Sequence, residues 1–130
     1  MKKLLFLFVL LLGSIGMSAF EVDGITYYVL TTSPDYTVEV TGYNADYEGD
    51  LVLNGTVSHN SIEYKVVRIS YSSFQNCSKK ITVNDLPYCT SIRNNAFRDC
   101  SSLTSIGDLS ACTSIEQYAF YHCSSLTSIG

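Results

Sequence analysis

The sequence predicts a β-rich solenoid of 23-residue coils preceded by a small antiparallel β module. Three observations predict it. Apolar positions recur 23 residues apart: Ile69, Ile92 and Ile115; Phe74, Phe97 and Phe120; Cys77, Cys100 and Cys123; Val83, Ile106 and Ile129. A fixed period of that length is the signature of stacked coils. Residues 20–66 carry no such period and alternate apolar with polar residues in short runs between turn formers. The longest helical candidate inside a coil, 95–99, is too short for more than one turn.

The first element, 1–19, reads as a secretory signal peptide. Lys2 and Lys3 give a positive start, 4–12 is an unbroken run of Leu, Phe and Val, and 13–19 is rich in small residues. Cleavage is expected after Ser18 or Ala19. The rival reading is an uncleaved anchor, but the apolar run falls short of the roughly 20 residues that span a bilayer. A lipid anchor needs a cysteine at the cleavage site, and the first cysteine is Cys77.

Removing the leader deletes two of the eight basic residues and none of the twelve acidic ones, which leaves a net charge of −6. An acidic exported chain without a basic stripe argues against nucleic-acid binding. It also lacks a polybasic segment to hold anionic lipid, and no membrane insertion is expected after cleavage.

Residues 20–66 form the second element, an N-terminal β module or cap. Strands are expected at 25–30, 36–43, 51–53 and 62–69, with a short run at Val57. Ser33-Pro34-Asp35 closes the first strand, Asn54-Gly55 reads as a hairpin turn, and His59-Asn60 turns the chain again.

Residues 67–130 form the third element, about 2.8 coils: 67–89, 90–112 and an incomplete 113–130. Each holds two extended segments joined by tight turns, and each half carries one cysteine. One coil cannot bury its own apolar side; stacking at the strand spacing of about 4.8 Å puts Ile on Ile and Phe on Phe. In the first coil Lys80 stands where Leu103 and Leu126 stand later, which leaves its strand register open.

The pattern Ser-Ile-x-x-x-Ala-Phe-x-x-Cys-Ser-Ser-Leu-Thr-Ser-Ile at 91–106 and 114–129 resembles the BspA-like leucine-rich repeat of secreted proteins of the Bacteroidetes type. The opening Phe20-Glu21-Val22-Asp23-Gly24-Ile25-Thr26-Tyr27-Tyr28 is similar to the β module that precedes such repeats. Gly107-Asp108-Leu109 departs from the Ile-Pro step common in that family. The resemblance implies a non-catalytic leucine-rich-repeat array, secreted or at the cell surface in association with the outer membrane, with a role in adhesion. It supplies no catalytic residues.

The chemistry-bearing residues read mostly as structure. Five cysteines in an exported chain suggest disulfides, but their number is odd and each fills a repeat slot. The expected arrangement is a buried ladder of thiols acting as small hydrophobes, with disulfides as the rival. No Cys-x-x-Cys pair supports zinc, and neither metal nor cofactor is expected. Asp85 and Asp108 share a slot and read as solvated turn residues, with a shared calcium ion as the rival. His59 and His122 read as turn or surface residues.

Slots that vary between coils are the candidates for contact: Tyr71, Gln75, Asn94, Arg98, Asp99, Tyr118, Tyr121 and His122. The expected partner is an extracellular protein or glycan. The alternative is a spacer or amino-terminal piece of a longer surface protein with no ligand of its own. An open last coil, with Leu126 and Ile129 lacking a neighbour, is expected to favour self-association.

Overall fold

The structure, a computed structural model, describes residues 18–130; of the leader read at 1–19, only Ser18 and Ala19 lie among them. Strands β1 (Ala19–Val22), β2 (Ile25–Thr31) and β3 (Thr37–Tyr43) form an antiparallel meander. The β1–β2 turn is Asp23-Gly24, with φ of 48° and 83°. Two successive positive φ values match the right-handed twist of the flanking strands. Gly24 also lies against Tyr47, where an added Cβ would come 2.5 Å from the ring.

Strands β4 (Leu51–Leu53), β5 (Thr56–His59) and β6 (Ile62–Ile69) follow. The hairpin expected at Asn54-Gly55 does not form there. β5 pairs with β6, and the tight turn is at Asn60-Ser61, with φ of 51° and 65°. β4 instead pairs in parallel with β7 (Ile81–Val83). Burial decides this: Leu51 and Leu53 are fully buried beside Ile81 and Val83, and an antiparallel β4–β5 pair would forfeit that packing. Gly55 has a different reason to be glycine, since a Cβ there would sit 2.9 Å from the Asp85 carbonyl oxygen.

The coils continue as β8 (Ser91–Ile92), β9 (Ser105–Ile106), β10 (Ser114–Ile115) and β11 (Ser128–Ile129). They build two parallel ladders. One runs β3–β6–β8–β10 and is continuous with the meander; the other runs β4–β7–β9–β11. Ile69 pairs with Ile92 and Ile92 with Ile115, and Val83 pairs with Ile106 and Ile106 with Ile129. No helix forms among the described residues; 95–99 is a run of turns.

β3 and β4 thus make a first coil beneath the repeats, and β6 runs across the sequence division at 66 and 67. The open register at Lys80 is resolved as well. Val83 stays level with Ile106, Ile81 takes the buried place, and exposed Lys80 lends its carbonyl to the Leu51 N–H at 2.9 Å.

The core is a set of vertical stacks. Phe74, Phe97 and Phe120 lie ring on ring, with centroids 5.2 and 5.4 Å apart, and Tyr43 of β3 continues the column 6.0 Å below Phe74. In the slot before each Phe stand Ser73, Ala96 and Ala119. The buried Ser73 hydroxyl donates to the Ser70 and Val40 carbonyls, so its polarity is satisfied.

All five cysteines are free thiols; Cys77, Cys89 and Cys100 are buried, while Cys112 and Cys123 are half-buried. Three of them share one device: Cys77, Cys89 and Cys112 each donate S–H to the carbonyl two residues on, at Lys79, Ser91 and Ser114. The slot therefore needs a side chain that packs as an apolar group and still offers a weak donor. Burial, reinforced by Cys112, pushes the Cys89 thiol up to about 11. The Cys100 thiol is pushed up as well, first by its hydrogen bond with Cys77 and then by burial.

Asp85 and Asp108 are joined through backbone: Asp85 Oδ1 accepts the Asp108 N–H at 2.7 Å. Gly107 makes that approach feasible, because a Cβ there would lie 2.5 Å from the Asp85 nitrogen. Among the described residues no cluster of His, Cys, Asp and Glu is arranged to hold a metal, and no helix is long and apolar enough to cross a membrane.

Candidate binding surface

The segments 71–76, 94–99 and 117–122 lie one above another as stacked turns between the two ladders. Their N–H groups alternate between two kinds of partner. Ser73, Gln75 and Cys77 donate to the carbonyl three residues back, while Ser72, Phe74 and Asn76 donate to Asn94, Ala96 and Arg98 of the next coil. The second coil repeats this with Asn95, Phe97 and Asp99 donating to Gln117, Ala119 and Tyr121. The result is a rigid wall whose Ala-Phe or Ser-Phe pairs point inward.

Each turn run needs two residues with left-handed backbone. These are Ser72 and Asn76, then Asn95 and Asp99, then Tyr118 and His122, with φ between 54° and 61°. Asn and Asp tolerate that region because their short polar side chains bond locally; bulky residues do not.

The side chains of this wall gather into two clusters. In the lower one the Arg93 guanidinium lies 4.0 Å from the centroid of the Tyr71 ring and donates to the Tyr71 hydroxyl. Arg93 also pairs with Glu116 at 3.5 Å, and the same Glu116 oxygen accepts the Asn94 N–H at 3.2 Å. In the upper cluster the Arg98 guanidinium lies 5.4 Å from the Tyr118 ring centre and 5.1 Å from that of Tyr121. Arg98 pairs with Asp99 at 3.5 Å, and Asp99 accepts from or faces His122 Nδ1 at 3.1 Å. Tyr121 stacks on His122 at 4.0 Å and meets Tyr118 edge-on at 5.3 Å.

Six of the eight residues read from the sequence as contact slots therefore bring their side chains into these two clusters, and Asn94 joins the lower one by its backbone N–H alone. Gln75 is half-buried in the slot below Arg98 and joins neither. Tyr71, Tyr118 and Tyr121 are 52%, 48% and 42% exposed, so their rings face solvent rather than core. Sequence reasoning passed over Arg93 and Glu116. Opposite charges one period apart were the available signal, because residues in one slot of adjacent coils become neighbours.

Comparison with known proteins bears on the whole array. The pattern of the BspA type leucine-rich repeat region matches residues 53–130, in six copies. A leucine-rich cell surface protein from Faecalibacterium prausnitzii is similar in structure, with a TM-score of 0.64 and 25% identity over 89% of this chain and 31% of that one. A leucine-rich repeat protein from Bacteroides ovatus is similar at a TM-score of 0.66 and 32% identity, over 85% of this chain and 28% of that one. The chain thus spans about a third of the length of these two proteins. A leucine-rich repeat protein from Bacteroides capillosus shares the fold at a TM-score of 0.55 and 18% identity, over 86% of this chain and 96% of that one. No protein with a curated description matches the chain significantly.

Proposed function

The chain belongs to the BspA-type leucine-rich repeat family, and on that premise we propose that it is an exported, non-catalytic array that binds an extracellular protein or glycan through the turn wall of its coils. One observation carries the reading. The apolar slots that stay fixed between coils form the buried columns, whereas the slots that vary collect exposed tyrosines and half-buried arginines with their partners on a single wall. Tyr and Arg are enriched at recognition surfaces, and a stacked array presents them on a rigid support. The leader pattern at 1–19 supports export, and the cell-surface description of the Faecalibacterium protein supports placement at the surface.

The test is retention of the purified chain on immobilised matrix proteins and on surface glycans. Binding that falls when Tyr71 and Tyr118 are both changed to Ala is the expected result. Failure to bind either class would remove the proposal.

A second reading, a structural spacer with no ligand, has its own support. The charges on the wall pair with one another, Arg93 with Glu116 and Arg98 with Asp99. The same experiment separates the two, since a spacer retains nothing.

A further inference from the structure

We propose that Asn54-Gly55 is a site of spontaneous covalent modification, at which the Asn54 amide is lost as ammonia while the protein stays folded. The inference is independent of what the turn wall binds.

The Asn54-Gly55 pair reads as a hairpin turn and does not serve as one. It carries the chain from β4, in one sheet, to β5, in the other. Glycine has no Cβ to shield its peptide nitrogen. That nitrogen can attack the side-chain carbonyl carbon of a preceding asparagine and close a succinimide ring.

The surroundings of this pair leave the reacting atoms available. Asn54 is exposed. Its amide nitrogen, the leaving group, makes no hydrogen bond among the described residues, and neither does the Gly55 N–H, the nucleophile. The bond to this side chain falls on the oxygen that stays: Asn84 Nδ2 donates to Asn54 Oδ1 at 2.8 Å. Asn84 is itself held in place, because its backbone N–H donates to the Leu53 carbonyl at 2.9 Å. A donor fixed on that oxygen stabilises the negative charge that develops there during attack.

Elsewhere the fold occupies one of these atoms. The residues that follow Asn76, Asn94 and Asn95 donate their N–H groups to the Phe74, Gln117 and Arg93 carbonyls. The Asn44 amide nitrogen is held by Glu21 at 3.4 Å.

The steps balance with water as the co-reactant and no change of oxidation state. The Gly55 nitrogen loses its proton to solvent base and bonds to Asn54 Cγ. The Cγ–Nδ2 bond breaks, and ammonia leaves with a proton from solvent. Water then adds to one of the two ring carbonyls and breaks its bond to the Gly55 nitrogen. Opening at Cγ gives aspartate; opening at the main-chain carbonyl gives isoaspartate, with the chain routed through Cγ.

The two products differ in fit. An aspartate keeps the chain length, and its carboxylate accepts the same Asn84 N–H as a charge-assisted bond. Isoaspartate adds a methylene to the main chain just before Gly55. There an added Cβ would already come 2.7 Å from Pro87 Cδ and 2.9 Å from the Asp85 carbonyl oxygen. The iso product therefore loosens the joint between β4 and β5.

The experiment incubates the whole chain at pH 8, folded and in urea, and follows each asparagine by peptide mass spectrometry. Enzymatic methylation of isoaspartate marks the iso product. In the folded chain Asn54 should convert before every other asparagine. Asn84→Ala and Asn84→Asp remove the donor. Each should slow Asn54 conversion severalfold in the folded chain and leave it unchanged in urea, where a role through the fold is lost. Asn54→Asp should melt with the wild type, and the aged chain should melt lower. An Asn54 that stays an amide in the folded chain, through an incubation that converts it in urea, would overturn the proposal. Unchanged or faster conversion in the folded Asn84 variants would remove Asn84 as the positioning residue. Equal melting of the aged chain and Asn54→Asp would refute the loosened joint.

Discussion

At the scale of the residue, the cysteines show how one slot meets two demands. The corner where a coil turns leaves a carbonyl facing the interior, and the Cys77, Cys89 and Cys112 thiols donate to it without the desolvation cost of a hydroxyl. Native alkylation should follow burial. At pH 8, Cys112 and Cys123 are expected to react first, with Cys77, Cys89 and Cys100 labelled only on unfolding; mass spectrometry of peptides from a time course reads this directly. Equal labelling rates would contradict it. The raised Cys89 pKa has a consequence for stability. Its folded value, about 11, lies above the ordinary thiol value of 9.0. The stabilisation is therefore complete below pH 9 and is lost as pH rises towards 11, where the unfolded chain ionises first. The urea midpoint should fall across that interval, and Cys89→Ala should flatten the fall. Gly107 poses a different constraint. A methyl group there meets backbone of the coil below at 2.5 Å, so Gly107→Ala is expected to cost about 1–3 kcal/mol in urea unfolding.

At the scale of the element, stability is held by columns rather than by any one strand. Strands β8 to β11 have two residues each, far too short to persist alone. They last because Phe74, Phe97 and Phe120 stack beneath the turn wall and because each turn run bonds to the next. Phe97 sits in the middle of its column, fully buried. Phe97→Ala should cost about 3–5 kcal/mol and unfold the upper coils, measured as a lost or split urea transition. A loss under 1 kcal/mol would show that the column is not the support argued for. The elements also separate what local pattern reveals from what it hides. Strands β2, β3, β4 and β6 were legible because alternation marks a buried face. The Asn54-Gly55 hairpin misled because turn chemistry is permissive: it allows a turn and does not require one. Only the burial of Leu51 and Leu53 beside β7 decides the pairing.

At the scale of the molecule, the two parallel ladders give the chain a direction, and its ends are unlike. The meander and the β5–β6 hairpin cover the base, with Phe20 of β1 stacked on His59 of β5 at 4.1 Å. At the other end Ile115 and Ile129 are 51% and 48% exposed, where their counterparts Ile92 and Ile106 are buried. The makeup of the turn wall was largely legible in the sequence for the same reason as the core. When coils stack in register, a fixed spacing along the chain becomes a fixed neighbour in space, so the sequence by itself determined the coils, the core columns and the slots left free to vary. Tertiary structure alone decided what carries no period: that β3 and β4 form a first coil, that Arg93 reaches both Tyr71 and Glu116, and that Tyr121 stacks on His122 with Tyr118 edge-on to it. Those outcomes depend on side chains from separate coils competing for burial and for partners. That competition is resolved only when the chain is folded.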